Sequence, residues 1–486
     1  MNNLEITKAY VGNTQVSKIY VGGEAVWPTT PPPPTPVYSA MPLTFEVISA
    51  GTIAWFSDTA NTMDIDYSLD DGQTWTTITS GPDTEINVSV GDKVQFKGYF
   101  HAQSTALPVS FRGTAMFNAY GNAFSIVDAT GYTSITTAGS GCLAGVFRCN
   151  GLVDASNMVL APTTVSSRSY YAMFSGCTNL TAAPELPATV LGQYCYQYMF
   201  EGCTSLTEAP ELPATTLANG CYQLMFYGCT SLTTAPELPA TTLADYCYSN
   251  MFGSCTSLTQ APELLATTLT ESCYYGMFSG CTSLTTAPEL PATILADSCY
   301  QSMFYGCISL TTAHSILPAT TLEVGCYNNM FQGCTSLTTA PELSATTLEM
   351  DCCRGMFKGC TSLTTAPSIL PATTLANNCY YEMFAGCTSL TTAPELPATL
   401  AGTTIGTNSK FYYGMFSGCT NLNYIKCLAT NIGTSNTNRI TRYWVSGVQT
   451  NSGTFVKHPD MTSWPNGVNG RPTNWTVVDA VITNNE

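Results

Sequence analysis

Cysteine is the residue type whose spacing could support chemistry over the longest part of this chain. The 486 residues include 22 cysteines, and most of them form two columns on either side of a recurring Met-Phe dipeptide. Spacings along the chain alternate mostly between 8 and 18 residues with no CxxC pair, which argues against a zinc ribbon. Two interpretations stay open: disulfides between the columns, or a buried ladder of free thiols that act as small hydrophobic groups. The two columns are Cys195, Cys221, Cys247, Cys273, Cys299, Cys326, Cys352 and Cys379, and Cys177, Cys203, Cys229, Cys255, Cys281, Cys307, Cys334, Cys360, Cys387 and Cys419.

Glutamate also recurs at one fixed position of a repeated unit. If successive units stack, these carboxylates lie about 4.8 Å apart and repel each other by about 0.8 kcal/mol per pair in bulk water. Between residues 169 and 353 there is no Lys or Arg to offset that repulsion. The row is therefore either a candidate ridge that binds a cation or a partner, or a solvated stripe of outward side chains. Its members, called the glutamate row below, are Glu185, Glu211, Glu237, Glu263, Glu289, Glu342 and Glu395.

Catalytic and metal-binding motifs are absent from the sequence. The three histidines, His101, His314 and His458, are far apart, and there is no GxSxG, Walker or HExxH motif. We therefore predict no enzyme, no cofactor and no metal site. A carboxylate pair for glycoside hydrolysis has a spatial signature only, so a glycan-cleaving enzyme remains a third alternative. Asp64, Asp66, Asp70 and Asp71 suit either calcium or, more simply, strand and hairpin-turn positions.

Charge excludes several partners. Only 10% of the residues are charged, and 15 Lys and Arg stand against 32 Asp and Glu, for a net charge of −17. This argues against a broad nucleic-acid or anionic-membrane surface. No apolar run approaches the roughly 20 residues that span a bilayer, which predicts no membrane insertion. The first residues have neither a basic segment nor an apolar core, so we expect no secretory signal and folding in a reducing cytoplasm.

The Met-Phe dipeptide reveals the element that must position these residues. It recurs mostly every 26 residues from Met173 to Met415, with two steps of 27 and a last step of 32. Degenerate copies at Met116-Phe117 and Val146-Phe147 extend the array to residues 113–430. Each unit is too short to bury its own apolar side, so neighbouring units must stack.

One unit serves to predict the local structure of all of them. Leu243, Cys247, Met251 and Cys255 are spaced by four, which predicts one face of a short helical turn. The Thr-rich segment 257–261 suits a short strand, and prolines such as Pro236 then end the hydrogen-bonded ladder.

Pairs of residues before Met-Phe vary between units, either as a recognition surface or by drift on a solvent-facing turn: Gln223-Leu224, Ser249-Asn250, Tyr275-Gly276, Gln301-Ser302, Asn328-Asn329, Arg354-Gly355 and Tyr381-Glu382. A neighbouring tyrosine column is expected to pack between coils: Tyr222, Tyr248, Tyr274, Tyr300, Tyr327 and Tyr380.

The flanking segments complete a modular, mainly β architecture. Residues 1–27 carry a ten-residue duplication with two hairpin turns, which predicts a three-stranded β meander that serves as an anchor. Residues 28–37 form a Pro-rich linker, and residues 38–112 alternate as a six-stranded β-sandwich. Residues 431–486 include Trp444, Trp464 and Trp475, which suit a C-terminal cap or a sugar-stacking platform.

The repeated pattern FxGCxSLTxxPxLP resembles the BspA-type leucine-rich repeats, with Ala-Pro in place of the usual strand core. This resemblance implies a solenoid with short helical turns that is used for adhesion and not catalysis. The repeated Tyr-Val-Gly and the Val-Trp-Pro before the proline run resemble the N-termini of virion-associated proteins of tailed phages that infect anaerobic gut bacteria.

Together the resemblances imply a phage virion fibre or appendage, of head or tail, which folds in the host cytoplasm and lies on the virion surface. Its partners would be other virion proteins, bound through residues 1–27, and a host cell-surface glycan or protein. A homotrimer is left open. The alternative is a bacterial surface adhesin of the BspA type. The residues expected to make the N-terminal attachment are Tyr10, Val11, Tyr20, Val21 and Trp27.

Overall fold

The protein is mainly β, with almost no helix and several small sheets. The computed structural model describes residues 9–11, 14–16, 19–21, 24–27, 38–57, 62–82, 84–100, 109–400, 405, 409–433, 440–448 and 452–482, with backbone only before residue 38. Within these ranges the helices are three short 3-10 helices: Tyr38–Ala40, Ala123–Ile126 and Tyr132–Ser134.

The N-terminal segment forms two separate hairpins. Strand β1 (Ala9–Val11) pairs with β2 (Thr14–Val16), and β3 (Ile19–Val21) pairs with β4 (Glu24–Trp27), both antiparallel. The predicted three-stranded meander is therefore wrong, because each copy of the ten-residue duplication contains both of its strands and closes on itself. The Pro-rich linker, residues 28–37, lies outside the described residues.

Ten strands follow: β5 (Leu43–Ser49), β6 (Gly51–Ser57), β7 (Asp64–Ser68), β8 (Thr76–Thr79), β9 (Glu85–Val88), β10 (Lys93–Gly98), β11 (Val109–Gly113), β12 (Met116–Asn122), β13 (Thr137–Ala138) and β14 (Leu152–Val159). Nine of them, all except β13, make up two sheets. The first sheet has six strands in the order β14-β12-β5-β10-β7-β8, and the second has the order β11-β6-β9. All neighbours are antiparallel except β12 and β14, which are parallel.

Aromatic side chains join the two sheets. Phe45 of β5 lies 4.8 Å from Phe111 of β11, measured between ring centroids, and both are fully buried. Burial of each such ring contributes roughly 1.5–3 kcal/mol. Phe117 of β12 stacks on Phe45 at 4.1 Å, so Met116-Phe117 belongs to the six-stranded sheet and is not a degenerate repeat, as the sequence suggested. The sheet thus continues past residue 112, where the sequence places the end of the sandwich.

The remaining strands are short and parallel, and they join successive coils of about 26 residues. They are β15 (Thr164–Val165), β16 (Val190–Leu191), β17 (Ile316–Leu317), β18 (Glu342–Leu343), β19 (Tyr424–Cys427), β20 (Thr454–Lys457) and β21 (Thr476–Asp479). Elsewhere a coil makes isolated parallel bridges, such as Thr234 to Gln260 and Thr216 to Thr242. The Thr-rich segment is thus a single bridge in most coils and not the expected strand, since Pro262 follows Gln260 by two residues.

The segment around Met-Phe, residues 244–255 in one coil, contains consecutive turns. Cys247, Ser249 and Met251 donate their N–H groups to carbonyls three residues back in the same coil. The intervening Tyr248 and Asn250 donate to carbonyls of the next coil, at 3.0 and 2.7 Å. Because every second N–H group bonds to the next coil, the bonds to residue i−4 that define an α-helix are not made. The predicted helical turn is therefore wrong, although Leu243, Cys247, Met251 and Cys255 are buried as the spacing predicted.

Each turn segment holds a residue with positive φ at every fourth position. In one coil these are Tyr246 (59°), Asn250 (51°) and Ser254 (61°). The equivalents of Ser254 are glycines in most coils, such as Gly228 (73°) and Gly280 (75°). A left-handed residue every four positions is what allows one turn to follow another without forming a helix.

Stacked aromatic columns fill the interior of the coils. Phe226 and Phe252 are 5.7 Å apart with ring planes 2° from parallel, and Tyr248 and Tyr274 are 5.8 Å apart at 1°. Tyr222, Tyr248, Tyr274, Tyr300, Tyr327 and Tyr380 are at most 2% exposed, which confirms that this column packs between coils.

The cysteines are buried as free thiols, all 22 of them. In the column after Met-Phe the thiol bonds to the coil before it: Cys255 Sγ donates to the Phe226 carbonyl at 3.0 Å, and Cys281 Sγ to Phe252 at 3.1 Å. Burial raises the pKa of both thiols well above the ordinary value. Through these bonds the buried thiols hold one coil to the next.

At the C-terminal end the tryptophans lie in the core. Trp444, Trp464 and Trp475 are at most 6% exposed, and Trp444 stacks on Trp464 at 5.7 Å. Trp444 also meets Phe416 of the preceding coil at 6.0 Å. Their faces are used in packing, which agrees with the cap and contradicts the sugar-stacking platform. None of the helices in the described residues is long and apolar enough to cross a bilayer.

Candidate binding surfaces

The glutamate row is an exposed feature of five successive coils. Glu185, Glu211, Glu237, Glu263 and Glu289 are all exposed. The leucine after each of them, such as Leu238 and Leu264, is buried, so the Glu-Leu pair points one side chain out and the next in. Glu263 and Glu289 line a surface pocket of about 420 Å³ together with Leu264, Leu265 and prolines.

Beyond Glu289 the row is interrupted and its charges acquire partners. Ile316 and Ile369 take the glutamate position in the two 27-residue coils, since Ile316 pairs with Glu342 and Ile369 with Glu395. His314 lies 3.3 Å from Glu289, and the backbone and hydroxyl of Ser368 donate to Glu342 at 2.9–3.0 Å. Lys426 pairs with Glu395 at 2.8 Å. The structure therefore divides the seven predicted residues into a run of five exposed carboxylates, the last of them beside His314, and two half-buried ones that have partners.

The predicted attachment residues fall on the N-terminal hairpins. Tyr10 and Val11 lie in β1, Tyr20 and Val21 in β3, and Trp27 ends β4. Only the backbone of these strands is described, so the surface that these side chains would form lies outside the described residues. Their role in attachment stays a prediction.

The aspartates of β7 and its hairpin turn are occupied by neighbouring side chains. Asp64 and Asp66 each accept a hydroxyl from β8, Thr79 and Thr77 respectively, at 2.6 Å. Asp70 accepts the N–H and the hydroxyl of Thr74 and the hydroxyl of Ser68. The Thr74 hydroxyl, followed by its N–H and Ser68, lowers the pKa of Asp70 to about 2. These contacts fit the strand and turn interpretation rather than a calcium site.

No group of three or more His, Cys, Asp and Glu is placed to hold a metal ion in the part of the chain that the structure describes. The glutamate row is not such a group, because its carboxylates belong to successive coils and five of them are exposed to solvent. What the row offers chemically is a line of negative charge.

The variable pairs lie on the turn segments, on a side of the coil that we call the turn face. The second member of each pair has positive φ, for example Leu224 (55°), Ser302 (55°) and Glu382 (53°). The first member accepts an N–H from the preceding coil through its carbonyl, as Tyr275 does from Asn250 at 2.7 Å. The backbone conformation therefore constrains the second position, while the first position is free to vary in side chain. The sequence does not distinguish the two positions, because a positive φ at a residue other than glycine has no sequence signature.

The turn face also carries half-buried tyrosines and several cations, among them Arg354 and Arg442. Tyr381 stacks on Tyr413, and the guanidinium of Arg354 lies over Tyr381. Burial, followed by the charge of Glu382, raises the pKa of Tyr381. Arg354 and Tyr381 belong to the predicted variable pairs and Tyr413 does not, and the contacts among the three were not predicted.

Comparison with known proteins finds no match among curated proteins. Among solved structures, a leucine-rich repeat protein from Bacteroides ovatus ATCC 8483 has 19% sequence identity and a TM-score of 0.27, and the alignment covers 64% of this chain and 86% of that one.

The family of BspA type leucine rich repeat regions matches the chain in six copies, over residues 167–311, 250–391 and 301–443. These stretches cover more than half of the chain and coincide with the coils whose Phe, Tyr and Cys columns are stacked. The protein therefore belongs to the BspA type leucine-rich repeat family.

Proposed function

We propose that the protein is a surface adhesion or binding protein, without enzymatic activity, that holds a macromolecular ligand on the outer faces of its stacked coils. The observation that carries this proposal is the separation of roles within each coil. The recurring Phe, Tyr, Met and Cys side chains are buried between coils, while charged and polar residues recur on the surface at a fixed spacing. Membership of the BspA-type family supports a binding role.

The finer architecture that we infer is a solenoid closed at its N-terminal end by a β-sandwich. Backbone hydrogen bonds from Phe111 of β11 to Val146, and from Phe147 to Met173, support a continuous passage from sheet to coils. Such a body is stiff, because every coil is bonded to both neighbours. A stiff, elongated body suits adhesion, since it fixes many weak contacts in one line.

Two biological settings fit this function, and the family match is at least as consistent with the second. The first is a virion fibre or appendage that attaches through residues 1–27 to other virion proteins and meets the host surface with its coils. The second is a BspA-type adhesin on a bacterial surface. The duplicated N-terminal hairpins and the proline-rich segment after them support the first setting.

Binding is tested with the full chain on intact host cells and on their isolated surface glycans. We expect saturable retention of the protein with no release of reducing ends and no loss of viscosity of the polysaccharide. Release of reducing ends would favour the glycan-cleaving alternative. Absence of retention on cells and on glycans would contradict a binding role altogether.

Attachment is tested by deleting residues 1–27. For a virion protein, we expect the truncated chain to fold and to be missing from purified particles. Its recovery on particles would contradict attachment through the N-terminal hairpins, and absence of the full chain from particles would favour the bacterial adhesin.

The glutamate row is proposed as part of the binding face. If Glu185–Glu289 bind a cation, millimolar calcium at low ionic strength should raise the thermal midpoint of the full chain, and the quintuple Glu→Gln variant should not respond. An unchanged midpoint of the natural chain would leave the row as a solvated stripe.

A further inference from the structure

Charge is strongly segregated along the coils. Residues 169–353 contain fourteen Asp and Glu and no Lys or Arg, whereas residues 396–459 contain five Lys and Arg and no Asp or Glu. In a chain with a net charge of −17, a cationic stretch of this length is an exception. A ligand attracted by the C-terminal coils must differ in charge from one attracted by the others.

Four planar side chains occupy the same position in four successive coils, of which the last two lie in this cationic stretch and the first two directly before it. They are Arg354, Tyr381, Tyr413 and Arg442, which we call the Arg-Tyr ladder. The coil before each of the last three donates an N–H to its carbonyl: Gly355 to Tyr381 at 2.8 Å, Glu382 to Tyr413 at 2.7 Å, and Gly414 to Arg442 at 3.0 Å. The backbone therefore fixes the ladder in register over three coil steps, about 15 Å.

Three of the four ladder side chains stack on one another, whereas Arg442 contacts Tyr443 and donates one N–H to its hydroxyl at 3.5 Å. The Arg354 guanidinium carbon lies 4.7 Å from the Tyr381 ring centroid, and the Tyr381 and Tyr413 rings are 4.7 Å apart and 4° from parallel. At the far end, the Arg442 guanidinium lies 5.0 Å from the Tyr443 ring, which meets Tyr413 edge to face at 5.7 Å. In the rest of this column, uncharged residues such as Gln223 and Gln301 stand in these places.

Stacking through their faces leaves the edges of these groups for binding. A guanidinium carries its N–H donors in its own plane, so an arginine stacked on a ring keeps its donors free for an acceptor. Arg354 has one long contact with Asp351, at 3.4 Å. For Arg442 and Lys410, no carboxylate lies within 4.0 Å in the described parts of the chain. The nearby Glu382 is already held by Lys358 at 2.6 Å.

We propose that the Arg-Tyr ladder is a binding site for an anionic polysaccharide, with Arg354 and Arg442 each holding a carboxylate or sulfate group. The inference rests on the proposed binding function and names the ligand class for one face of the coils. A neutral glycan would stack on open aromatic faces, but the faces of Tyr381 and Tyr413 cover each other. The ladder instead presents a line of hydrogen-bond donors, whose matching ligand is a chain of anionic acceptors.

Another copy of this chain is the competing occupant, through its own acidic coils. The glutamate row of such a copy has suitable charge, but it lies twelve residues from the ladder position, as Glu237 does from Ser249 in the same coil. That offset is almost half of a 26-residue coil. Copies joined in this way would meet by unlike faces, an arrangement that does not close on itself and tends to form fibres.

The test measures binding of the full chain to a uronate-containing polysaccharide, a sulfated polysaccharide and neutral dextran at low salt. We expect binding to one or both anionic polymers and none to dextran. Arg354→Gln and Arg442→Gln should each weaken binding roughly tenfold, and the double variant more. Arg442→Lys should bind more tightly than Arg442→Gln and less tightly than the natural chain, because lysine keeps the charge but not the planar set of N–H donors.

Two matched variants serve as controls. Lys426→Gln removes one cation from the same stretch on the face of Glu395, and Gln223→Ala alters the equivalent position among the acidic coils. Both should bind as the natural chain does. If Lys426→Gln weakened polysaccharide binding as much as the arginine variants do, net charge alone would explain the binding, and the proposed site would be overturned.

The remaining outcomes separate this inference from the proposed function. A double arginine variant that binds host cells and anionic polysaccharide unchanged overturns the ladder and leaves the binding function standing. A natural chain that binds neither overturns both. If light scattering shows assemblies of the natural chain that the double variant lacks, and no polysaccharide binds, then the ladder is a contact between copies.

Discussion

The two cysteine columns have the same residue type and burial but different bonds, which permits a matched comparison. Cys255 is buried and donates its thiol to the Phe226 carbonyl, while Cys247 is buried with no such bond in the described residues. Cys255→Ala should therefore lower the free energy of unfolding by about 1 kcal/mol more than Cys247→Ala, since it also removes a hydrogen bond. Urea denaturation of both variants checks this.

Equal losses in the two variants would show that the thiol hydrogen bond contributes nothing and that both columns act as small apolar groups. The sequence predicted buried cysteines because their spacing follows that of Met and Phe. It did not distinguish the columns, because the acceptor is a main-chain carbonyl 29 residues earlier and main-chain groups have no sequence signature.

At the scale of the element, the turn segments depend on left-handed residues. Ser254 occupies with φ 61° a position that is glycine in the neighbouring coils. A Cβ built on Gly228 would meet nothing closer than 3.9 Å, so only the backbone conformation penalises a side chain there. Ser254→Gly should raise stability by about 0.5 kcal/mol and Gly228→Ala should lower it by about 1 kcal/mol. Thermal midpoints that move in the same direction for both would contradict this account.

The hairpin between β7 and β8 gives a pH-dependent element. The Thr74 hydroxyl, the Thr74 N–H and Ser68 lower the pKa of Asp70 from 3.8 to about 2. A lowered pKa in the folded state means that the ionised carboxylate stabilises the fold above about pH 4, and that this contribution is lost as the pH falls towards 2. We expect Asp70→Asn to lower the thermal midpoint at pH 6 and to change it little at pH 2.5. A midpoint that Asp70→Asn lowers equally at pH 6 and at pH 2.5 would refute the assignment.

The elements that sequence predicted poorly share one physical cause. Apolar residues every four positions suggest a helix, but a series of turns with a positive φ at every fourth residue gives the same spacing. In the sequence, only glycines such as Gly228 indicate a positive φ, and at Tyr246 and Asn250 the residue type gives no indication of it. The meander failed similarly, because local turn signals cannot tell whether Ile19–Val21 continues one sheet or starts another.

At the scale of the whole molecule, the sequence predicted the repeat but not which side chains come together on its surface. A fixed 26-residue period predicts stacking without any knowledge of the coil, and the parallel Phe and Tyr columns agree with it. The Arg-Tyr ladder requires knowing that residues 354, 381, 413 and 442 are in register, although their spacings of 27, 32 and 29 depart from that period. The hydrogen bonds between the turn segments stay in register in spite of these extra residues, and main-chain bonds have no sequence signature.

The last prediction concerns the independence of the coils. Deletion of residues 230–255 joins Cys229 to Thr256 and so reproduces the natural Cys255-Thr256 junction. Every remaining coil still has a coil of the same type on each side. The shortened chain should therefore fold, with an array about 4.8 Å shorter. Small-angle scattering measures the length, and the thermal midpoint should change little.

Deletion of residues 230–242 is the matched control, because it removes half a coil. It would place the turn segment of one coil on the bridge segment of the next, with Tyr248 and Phe252 lacking their stacking partners. Two such rings expose an apolar area that costs roughly 3–6 kcal/mol. We therefore expect this chain to aggregate or to unfold at a much lower temperature. If both deletions behave alike, the coils are not interchangeable layers, and the stacking of side chains in register is not what stabilises the array.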